Sequence, residues 1–309
     1  MDLRLKIFLA VSRLRQLTEA SRQLNMAPSS VSEQLAALES EVGVRLFVRT
    51  NRGMRLTEAG ERLFKTAQLI EGQWHASLRA VNLIASGTHR IDLAASQTAT
   101  ELFLPRPLGR FRDRLPDVPI HLTMANTSTV LERVAAGSVD MGFIEGGTVH
   151  GSLLAVNLWS DGLVLVVSKR HHLAHLETIG VDRLVDLDWI LREPGSGTRA
   201  IFERGLGRAG WSVDGLKVIM ELSSLRAILS MVAHNVGVSV VSRAIVASGQ
   251  TGDEGVHPIV IQGVSLERHI QLALNRHSSH SDAVEALIGL LKMDAEHHNR
   301  NVQKPITQA

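Results

Sequence analysis

Residues 20–35 read Ala-Ser-Arg-Gln-Leu-Asn-Met-Ala-Pro-Ser-Ser-Val-Ser-Glu-Gln-Leu, and this stretch decides the fold of the N-terminal part of the chain. Its apolar residues recur at helical spacing and can form one inner face of two helices. Asn25 lies where the chain must reverse, and asparagine tolerates the left-handed conformation better than most residues. Pro28 removes a donor that the first turn of a helix does not use. The stretch therefore predicts a helix, a tight turn and a second helix.

The second of these helices presents polar side chains on its outward face. Such side chains reach phosphates and base edges, and glutamine is suited to adenine whereas glutamate is suited to cytosine. This pattern predicts a helix that enters the major groove of double-stranded DNA; an ordinary helical hairpin on the protein surface is the alternative. The residues predicted to approach DNA are Pro28, Ser29, Ser30, Ser32, Glu33 and Gln34.

A basic hairpin follows the second helix. Alternating apolar residues on both sides of the turn signal at 51–53 predict two short strands. Four arginines fall within eleven residues here. Arginine at the tip of such a hairpin can follow phosphates or enter a minor groove. We therefore expect Arg49 and Arg52 to hold the DNA backbone or the minor groove.

The whole segment resembles the winged helix-turn-helix of the LysR-type transcriptional regulators, which implies sequence-specific binding to DNA. One departure lies on the predicted DNA surface, because Glu33 stands where this family commonly has arginine. The departure predicts a preference for cytosine at the facing base. The residues that match the family pattern in order are Leu5, Phe8, Ala10, Val11, Ala20, Leu24, Pro28, Ser29, Val31, Ser32, Leu38, Glu39, Gly43, Leu46, Phe47, Arg49, Leu56, Thr57, Glu58 and Gly60.

Composition agrees with a DNA-binding end attached to a near-neutral body. Residues 1–87 carry 12 Lys+Arg against 8 Asp+Glu, whereas the remainder carries 21 against 23. The lack of cysteine excludes disulfides and thiolate chemistry. No signal-like apolar segment follows the start, and no run approaches the roughly 18 apolar residues of a membrane helix. We expect a cytoplasmic protein that has no membrane partner.

A long helix is predicted after the hairpin, because no proline occurs between Thr57 and Ser86. Its apolar residues alternate at spacings of four and three, which is typical of a coiled-coil seam. Packing against its own domain is the alternative, but the family resemblance also implies a dimerisation helix. Such a dimer would set two recognition helices about one DNA turn, roughly 34–36 Å, apart. The residues predicted to form the seam are Leu63, Ala67, Ile70, Trp74, Val81 and Ile84.

The remaining sequence alternates strands and helices. Repeated strand–helix units predict parallel sheets that are covered by helices. The polar stretch from about residue 294 predicts a disordered tail. The predicted strands lie at 91–95, 120–124, 141–144, 163–167, 189–191, 218–222 and 238–241.

This α/β body resembles the effector-binding domain of the same family. The resemblance implies a two-lobed fold like the type 2 periplasmic solute-binding proteins, with Rossmann-like α/β subdomains and a ligand between the lobes. The matching positions are Leu104 and Pro105, Phe111, Leu115 and Pro116, Asn126 and Thr127, Gly137, Asp140, residues 192–199, and Val236 and Gly237.

Three polar clusters lie where predicted strands give way to helices. Hydroxyls and free backbone N–H groups at helix starts suit a small anion, so the clusters predict a small anionic metabolite as effector. The alternative is that these residues only cap their helices. The predicted effector-binding residues are Ser96, Gln97, Thr98, Asn126, Thr127, Gly195, Ser196, Gly197 and Thr198.

These predictions give a domain order along the chain. A winged helix-turn-helix at 1–58 is followed by a linker helix at 59–87, an effector-binding domain at 88–296 and a polar tail at 297–309. Within the effector domain, lobe I is predicted at about 88–162 and 267–296, and lobe II at about 163–266.

The sequence therefore predicts a transcriptional regulator that is modulated by a small molecule. Dimers are expected to pair through the linker helix and to associate further through the effector domains, and RNA polymerase is an open further partner. No catalytic motif, metal site or cofactor motif stands out, so we expect no enzyme activity. The alternatives are a solute-binding or sequestering protein and an enzyme with a fused DNA-binding head. Neither alternative explains residues 1–87.

Overall fold

The structure is a computed structural model that describes residues 1–50, 53–86, 90–147, 149, 151–249, 255–278 and 280–302. The chain divides into two compact units. The N-terminal unit comprises residues 1–87 with 135–138, and the C-terminal unit comprises residues 88–134 with 139–309. Among the described residues, no helix combines the length and apolarity needed to cross a bilayer.

Helices and a two-stranded hairpin build the N-terminal unit, which confirms the predicted winged helix-turn-helix. Asn25 adopts a left-handed conformation (φ 52°) at the turn, and Pro28 begins the helix that follows it. Phe8, Val31 and Leu46 are fully buried in its core. Its elements are α1 Leu3–Leu14, α2 Leu17–Gln23, α3 Pro28–Val42, β1 Phe47–Thr50, β2 Gly53–Leu56 and α4 Glu58–Ser86.

Hydrogen bonds fix the hairpin to the helices. The Glu39 carboxylate of α3 accepts from the backbone N–H groups of Leu46 and Phe47, at 2.7 and 3.1 Å. The Met54 N–H of β2 donates to the Arg15 carbonyl that follows α1, at 2.7 Å. The hairpin therefore holds a set position relative to α3.

The C-terminal unit is a mixed α/β body. Short helical turns of other types lie at Ala99–Phe103, Val181–Asp186 and Val213–Gly215. Its strands and α-helices in chain order are β3 Ile91–Ala95, α5 Pro105–Arg114, β4 Ile120–Met124, α6 Thr127–Ala135, β5 Met141–Glu145, β6 Leu153–Ser168, β7 Thr178–Gly180, β8 Asp188–Arg192, α7 Gly197–Arg208, β9 Lys217–Leu222, α8 Leu225–Ala233, β10 Ser239–Ser242, α9 Arg243–Ala247, β11 Val256–Gln262, β12 Glu267–Asn275 and α10 Asp282–Val302.

Each lobe of this unit has its own apolar core. In lobe I, β3 pairs in parallel with β4 and β5, and Phe111, Phe143 and Trp159 are fully buried beside α10. In lobe II, β8 pairs in parallel with β9, and Trp189 packs on Phe202 with ring centroids 5.0 Å apart. The two-lobed α/β architecture predicted from the sequence is confirmed.

The predicted parallel pairing is present in β3 with β4 and β5 and in β8 with β9, but antiparallel pairs connect the lobes. The long strand β6 is antiparallel to β12 along its first half and antiparallel to β10 and β11 along its second half. β6 begins at Leu153, ten residues before the predicted start of a strand at 163. The first half of β6 mixes buried, partly buried and exposed residues without regular alternation, so its sequence carries no strand signal. The predicted lobe boundary at 162–163 falls inside β6.

The prediction of a disordered tail from about residue 294 is wrong, because α10 continues to Val302. The Asn299 side chain accepts from the Ser160 N–H at 2.8 Å and donates to the Leu158 carbonyl at 2.7 Å. The His298 ring meets the Phe103 ring edge-on. These polar residues satisfy the backbone of β6 where its pairing register with β12 shifts. Residues 303–309 lie outside the described part.

Substitution of Gly53 should destabilise the N-terminal unit. Its φ is +121°, and a Cβ atom there would overlap the Arg15 carbonyl oxygen. We expect Gly53→Ala to lower the free energy of unfolding by at least ~2 kcal/mol, from backbone strain and overlap together. Gly43 is a matched control, since its φ is also positive (+77°) but nothing lies near the added atom. Gly43→Ala should cost only about 1 kcal/mol. Equal losses in urea denaturation would contradict this account.

Candidate functional site

The outward face of α3 carries the predicted DNA-reading residues. Val31, Leu35 and Leu38 bury the inner face of this helix in the core of the N-terminal unit. The opposite face is therefore left to solvent: Pro28, Ser29 and Glu33 are exposed, and Ser30, Ser32 and Gln34 are partly exposed. The structure thus places these six residues together on one accessible helical surface.

A groove lies beside this unit's hairpin, between the start of α2 and the two strands. It encloses about 560 Å³ and is lined by Gln16, Leu17, Thr18, Arg49, Thr50, Gly53 and Met54. Arg49 is exposed at the end of β1, as a phosphate-binding residue must be. Gln16 and Thr18 were not predicted, because their position opposite Arg49 depends on the tertiary fold. Arg52 lies outside the described residues.

The predicted dimer seam on α4 divides into two parts. Ala67 is fully buried and Leu63 is partly buried, and both belong to the core of the N-terminal unit. Ala67 has no surface left for a partner, which corrects its assignment to the seam. In contrast, Ile70, Trp74 and Val81 are 43%, 43% and 61% exposed. The Ile84 side chain lies outside the described part.

In the C-terminal unit, the three predicted polar clusters meet between the lobes. Thr198 at the start of α7 donates to the Glu145 carboxylate at the end of β5, at 2.6 Å. The Ser128 N–H donates to the Gly195 carbonyl at 3.2 Å. A Cβ atom at Gly197 would lie 2.6 Å from both Glu145 and the Thr127 hydroxyl, so glycine permits the lobes to approach this closely. We call this region the interlobe cleft.

Some residues of the clusters act as helix caps and others do not. Ser96 Oγ accepts from the Ala99 N–H, and Asn126 Oδ1 accepts from the Thr129 N–H. Gln97 reaches the other lobe, where its carbonyl oxygen accepts from the Leu225 N–H at the start of α8. Ser196 makes no side-chain cap for α7; its hydroxyl is buried and has no hydrogen-bond partner among the described residues.

A buried ionic network forms the floor of the cleft. The Arg268 guanidinium of β12 binds the Glu145 carboxylate at 2.9 Å through Nη1 and the Asp161 carboxylate of β6 at 2.8 Å through Nε. The Ser242 hydroxyl also lies 2.9 Å from both Asp161 oxygens. All three charged side chains are almost completely excluded from solvent. Arg268 Nη1 also donates to the Thr198 hydroxyl of lobe II at 3.0 Å, so the network joins residues from both lobes.

The network keeps Glu145 ionised. Burial alone would raise the pKa of the Glu145 carboxyl, but the Arg268 charge, hydrogen bonds from Thr198 and Thr98, and the Arg192 charge lower it from 4.5 to about 2. The pKa of Arg268 is raised despite its burial, because it faces Asp161 and Glu145. Two of the hydroxyls predicted to bind an external anion, those of Thr98 and Thr198, are thus already bound to an internal one.

Glu145, Asp161 and Arg268 were not among the site residues predicted from the sequence. A carboxylate at the end of a buried strand is a signal that could have singled out Glu145, since the carboxyl ends of strands border the ligand site in open α/β folds. No local signal marked the other two, because their partners are 81 to 123 positions away in the chain.

Comparison with known proteins defines the class. Residues 3–61 match the family model of the bacterial regulatory helix-turn-helix proteins of the LysR family, and residues 85–296 match the LysR substrate-binding domain. A probable RuBisCO transcriptional regulator of Cyanophora paradoxa is 30% identical over 287 residues, which cover 90% of this chain and 87% of the relative. The protein is a DNA-binding transcriptional regulator with an effector-binding domain. It belongs to the LysR family.

Solved structures agree in fold. The LysR family regulator CbnR is 20% identical with a TM-score of 0.59, over 96% of this chain and 99% of CbnR. The regulatory domain of Synechocystis PCC6803 CcmR, solved in complex with 2-PG, is 24% identical with a TM-score of 0.61, over 68% of this chain and 98% of that domain.

Neutralising Glu145 should remove a stabilising charge whose effect depends on pH. At pH 7 we expect Glu145→Gln to lower the free energy of unfolding by roughly 3–5 kcal/mol, because Arg268 loses a buried partner. The pKa of Glu145 is depressed in the folded state, so its contribution is complete above about 4.5 and is lost as the pH falls toward about 2. The difference between wild type and variant should therefore shrink on acidification.

Urea denaturation from pH 7 to pH 3 would measure this difference. Glu132→Gln makes the same charge change at an exposed position of α6. It should leave the stability nearly unchanged at every pH. A Glu145→Gln deficit that stays constant across this range would show that the ionic network does not hold Glu145 as described.

Proposed function

We propose that the effector is a small anion that binds in the interlobe cleft by replacing the Glu145 carboxylate. The observation that carries this proposal is the state of the two side-chain hydroxyls at the start of α7, those of Ser196 and Thr198. Ser196 offers a buried hydroxyl that no described residue binds, and Thr198 donates to a carboxylate of the other lobe. Both flank the N-terminus of a twelve-residue helix, where the helix dipole favours negative charge.

The charges around the cleft favour an anion that replaces the Glu145 carboxylate over an anion that binds beside it. Around the cleft, Arg268 and Arg192 face the carboxylates of Glu145, Asp161 and Glu193, so the cluster already carries one excess negative charge. A further anion placed beside Glu145 would meet a repulsive field in a poorly solvated site. An anion that takes the place of Glu145 restores the original balance. The CcmR domain, which shares the fold, was solved with 2-PG bound.

Removal of the Glu145 charge should therefore increase anion binding. In thermal-shift titrations with phosphate, sulfate and acetate, we expect Glu145→Gln to bind the preferred anion about tenfold more tightly than wild type, or more, which corresponds to ~1.4 kcal/mol. Ser196→Ala should weaken binding, whereas Glu132→Gln should not change it. Thr98→Ala should change the affinity little, because Thr98 donates to the Glu145 carboxylate as well as to an anion that takes its place. Unchanged affinity in Ser196→Ala would refute the assignment. So would failure of every anion to stabilise either wild type or Glu145→Gln.

Two exposed apolar surfaces support self-association. Ile70, Trp74 and Val81 of α4 are positioned to pair two N-terminal units, which would present two α3 helices to one DNA site. In the C-terminal unit, the edge strand β9 exposes Val218, Ile219 and Met220. Contiguous exposed apolar residues of this kind mark interaction sites. Dimers that associate again through the effector domains follow from the use of both surfaces, and contact with RNA polymerase stays a prediction.

The proposed role is regulatory and not enzymatic, in the cytoplasm where the DNA is. An enzyme with a fused DNA-binding head would convert the ligand that it binds, whereas a regulator would return it unchanged. Analysis of the bound anion after prolonged incubation with the protein discriminates the two. A solute-binding role alone leaves the winged helix-turn-helix unexplained.

Glu33 should set a base preference in the operator. It is exposed on α3, where a carboxylate accepts from the amino group of cytosine. Operator selection with Glu33→Arg should replace cytosine by guanine at one position of each half-site, with a discrimination of about 1–3 kcal/mol. Glu61→Arg adds the same charge on α4, and should raise affinity without changing sequence preference. An unchanged operator and affinity in Glu33→Arg would refute a base-reading role.

A further inference from the structure

A second polar cavity lies next to the interlobe cleft, between α7, β12 and the loop at 146–147. It has a volume of about 230 Å³, and Arg204, Arg208 and His269 are among its lining residues. At the ~30 Å³ that a water molecule occupies in the liquid, this is room for roughly eight non-hydrogen atoms. The cavity is therefore sized for a small metabolite.

Two residues that line the cavity, Arg204 and Arg208, carry positive charge that no described residue neutralises. Arg204 and Arg208 are four residues apart on α7, so they are neighbours on one helical face, where like charges repel. Neither forms an ion pair within the described part of the chain. Arg199 of the same helix, by contrast, pairs with Glu203 and Glu221. The unpaired arginines favour an anionic occupant with two charged groups.

Two other charged residues that border the cavity already have ionic partners. Glu267 borders the cavity, but its carboxylate is bound by Arg243 at 2.7 Å. Arg268 also borders the cavity, and its charge is already directed to Glu145 and Asp161. Arg204 and Arg208 consequently dominate the field that a ligand would meet.

A polar atom in the lining also lacks a partner. The Gln271 amide nitrogen donates to Asn157 Oδ1 at 2.8 Å. Its carbonyl oxygen is buried and receives no hydrogen bond from any described residue. A buried acceptor without a donor is costly, and a ligand hydroxyl in the cavity would supply that donor. Within the described part of the chain, the lining thus combines two guanidinium groups that have no ion pair with one buried acceptor that has no donor.

We propose that this cavity binds a small hydroxylated dianion, of the hydroxy-dicarboxylate class. Its two charged groups would meet Arg204 and Arg208, and its hydroxyl would donate to Gln271. The occupant would touch α7 of lobe II and Gly146, which directly follows Glu145 in lobe I. Since it contacts both lobes beside the cleft network, its binding and effector binding would influence each other reciprocally.

Calorimetric titration of the full-length protein with malate tests the proposal. Arg204→Ser/Arg208→Ser should weaken malate binding at least about tenfold. Lys169→Ser/Arg183→Ser removes the same charge from exposed positions of lobe II that do not line the cavity, and should retain the wild-type affinity. The monoanion 2-hydroxybutyrate keeps the hydroxyl but lacks one carboxylate, so it should bind wild type at least about tenfold more weakly than malate. Thermal melting of each variant checks that the fold is retained.

Three results would overturn the proposal. They are the absence of malate binding to wild type, equal affinities in the two double variants, and loss of malate binding in Ser196→Ala with retention in Arg204→Ser/Arg208→Ser. The third result would place malate in the interlobe cleft, and would leave the proposed effector site standing.

Discussion

The pairing of Arg268 with two buried carboxylates is the constraint on which the C-terminal unit depends. A charge this well hidden from water is tolerated only when partners and hydrogen bonds surround it. Arg268 comes from β12, Asp161 from β6 and Glu145 from β5, so the three charges tie the strands that connect the lobes to a strand of lobe I. Thr198 brings α7 of lobe II into the same network. The position of each lobe is thus set by electrostatics as well as by its apolar core.

Because of this constraint, the cleft is not an empty pocket. The helix start at Ser196 and Thr198 has the groups that bind anions, and the protein fills part of that position with its own carboxylate. A tethered group competes at a high effective concentration, as any intramolecular partner does. On the proposed mechanism, the network would hold the unliganded arrangement, and the effector would shift the population only to the extent of its differential affinity for the two states.

Local chemistry explains which features could be predicted from the sequence. The turn at Asn25, the helix start at Pro28 and the paired strands Phe47–Thr50 and Gly53–Leu56 depend on neighbouring residues, and they occur where they were predicted. The hydroxyl clusters could be placed for the same reason, since strand–helix junctions are local. Arg268 and Glu145 are 123 positions apart in the chain, and no local sequence pattern near either residue predicts their contact. Asn299 shows the same limit, because a polar C-terminal segment predicts disorder unless the strand that it caps is known.

A resident carboxylate also bears on selectivity. An effector gains little from contacts that Glu145 already makes, since those contacts only exchange one anion for another. On the proposed mechanism, its net affinity would come from groups that Glu145 does not contact, which include the Ser196 hydroxyl, a group without a hydrogen-bond partner among the described residues. The observed binding free energy is the difference between the effector-bound state and the state in which Glu145 occupies the site. Specificity is likewise a difference between two binding free energies. On the proposed mechanism, the cleft would therefore discriminate by groups beyond the single carboxylate: a ligand with an additional acceptor for Ser196 would displace Glu145, whereas one that only matches the carboxylate would not.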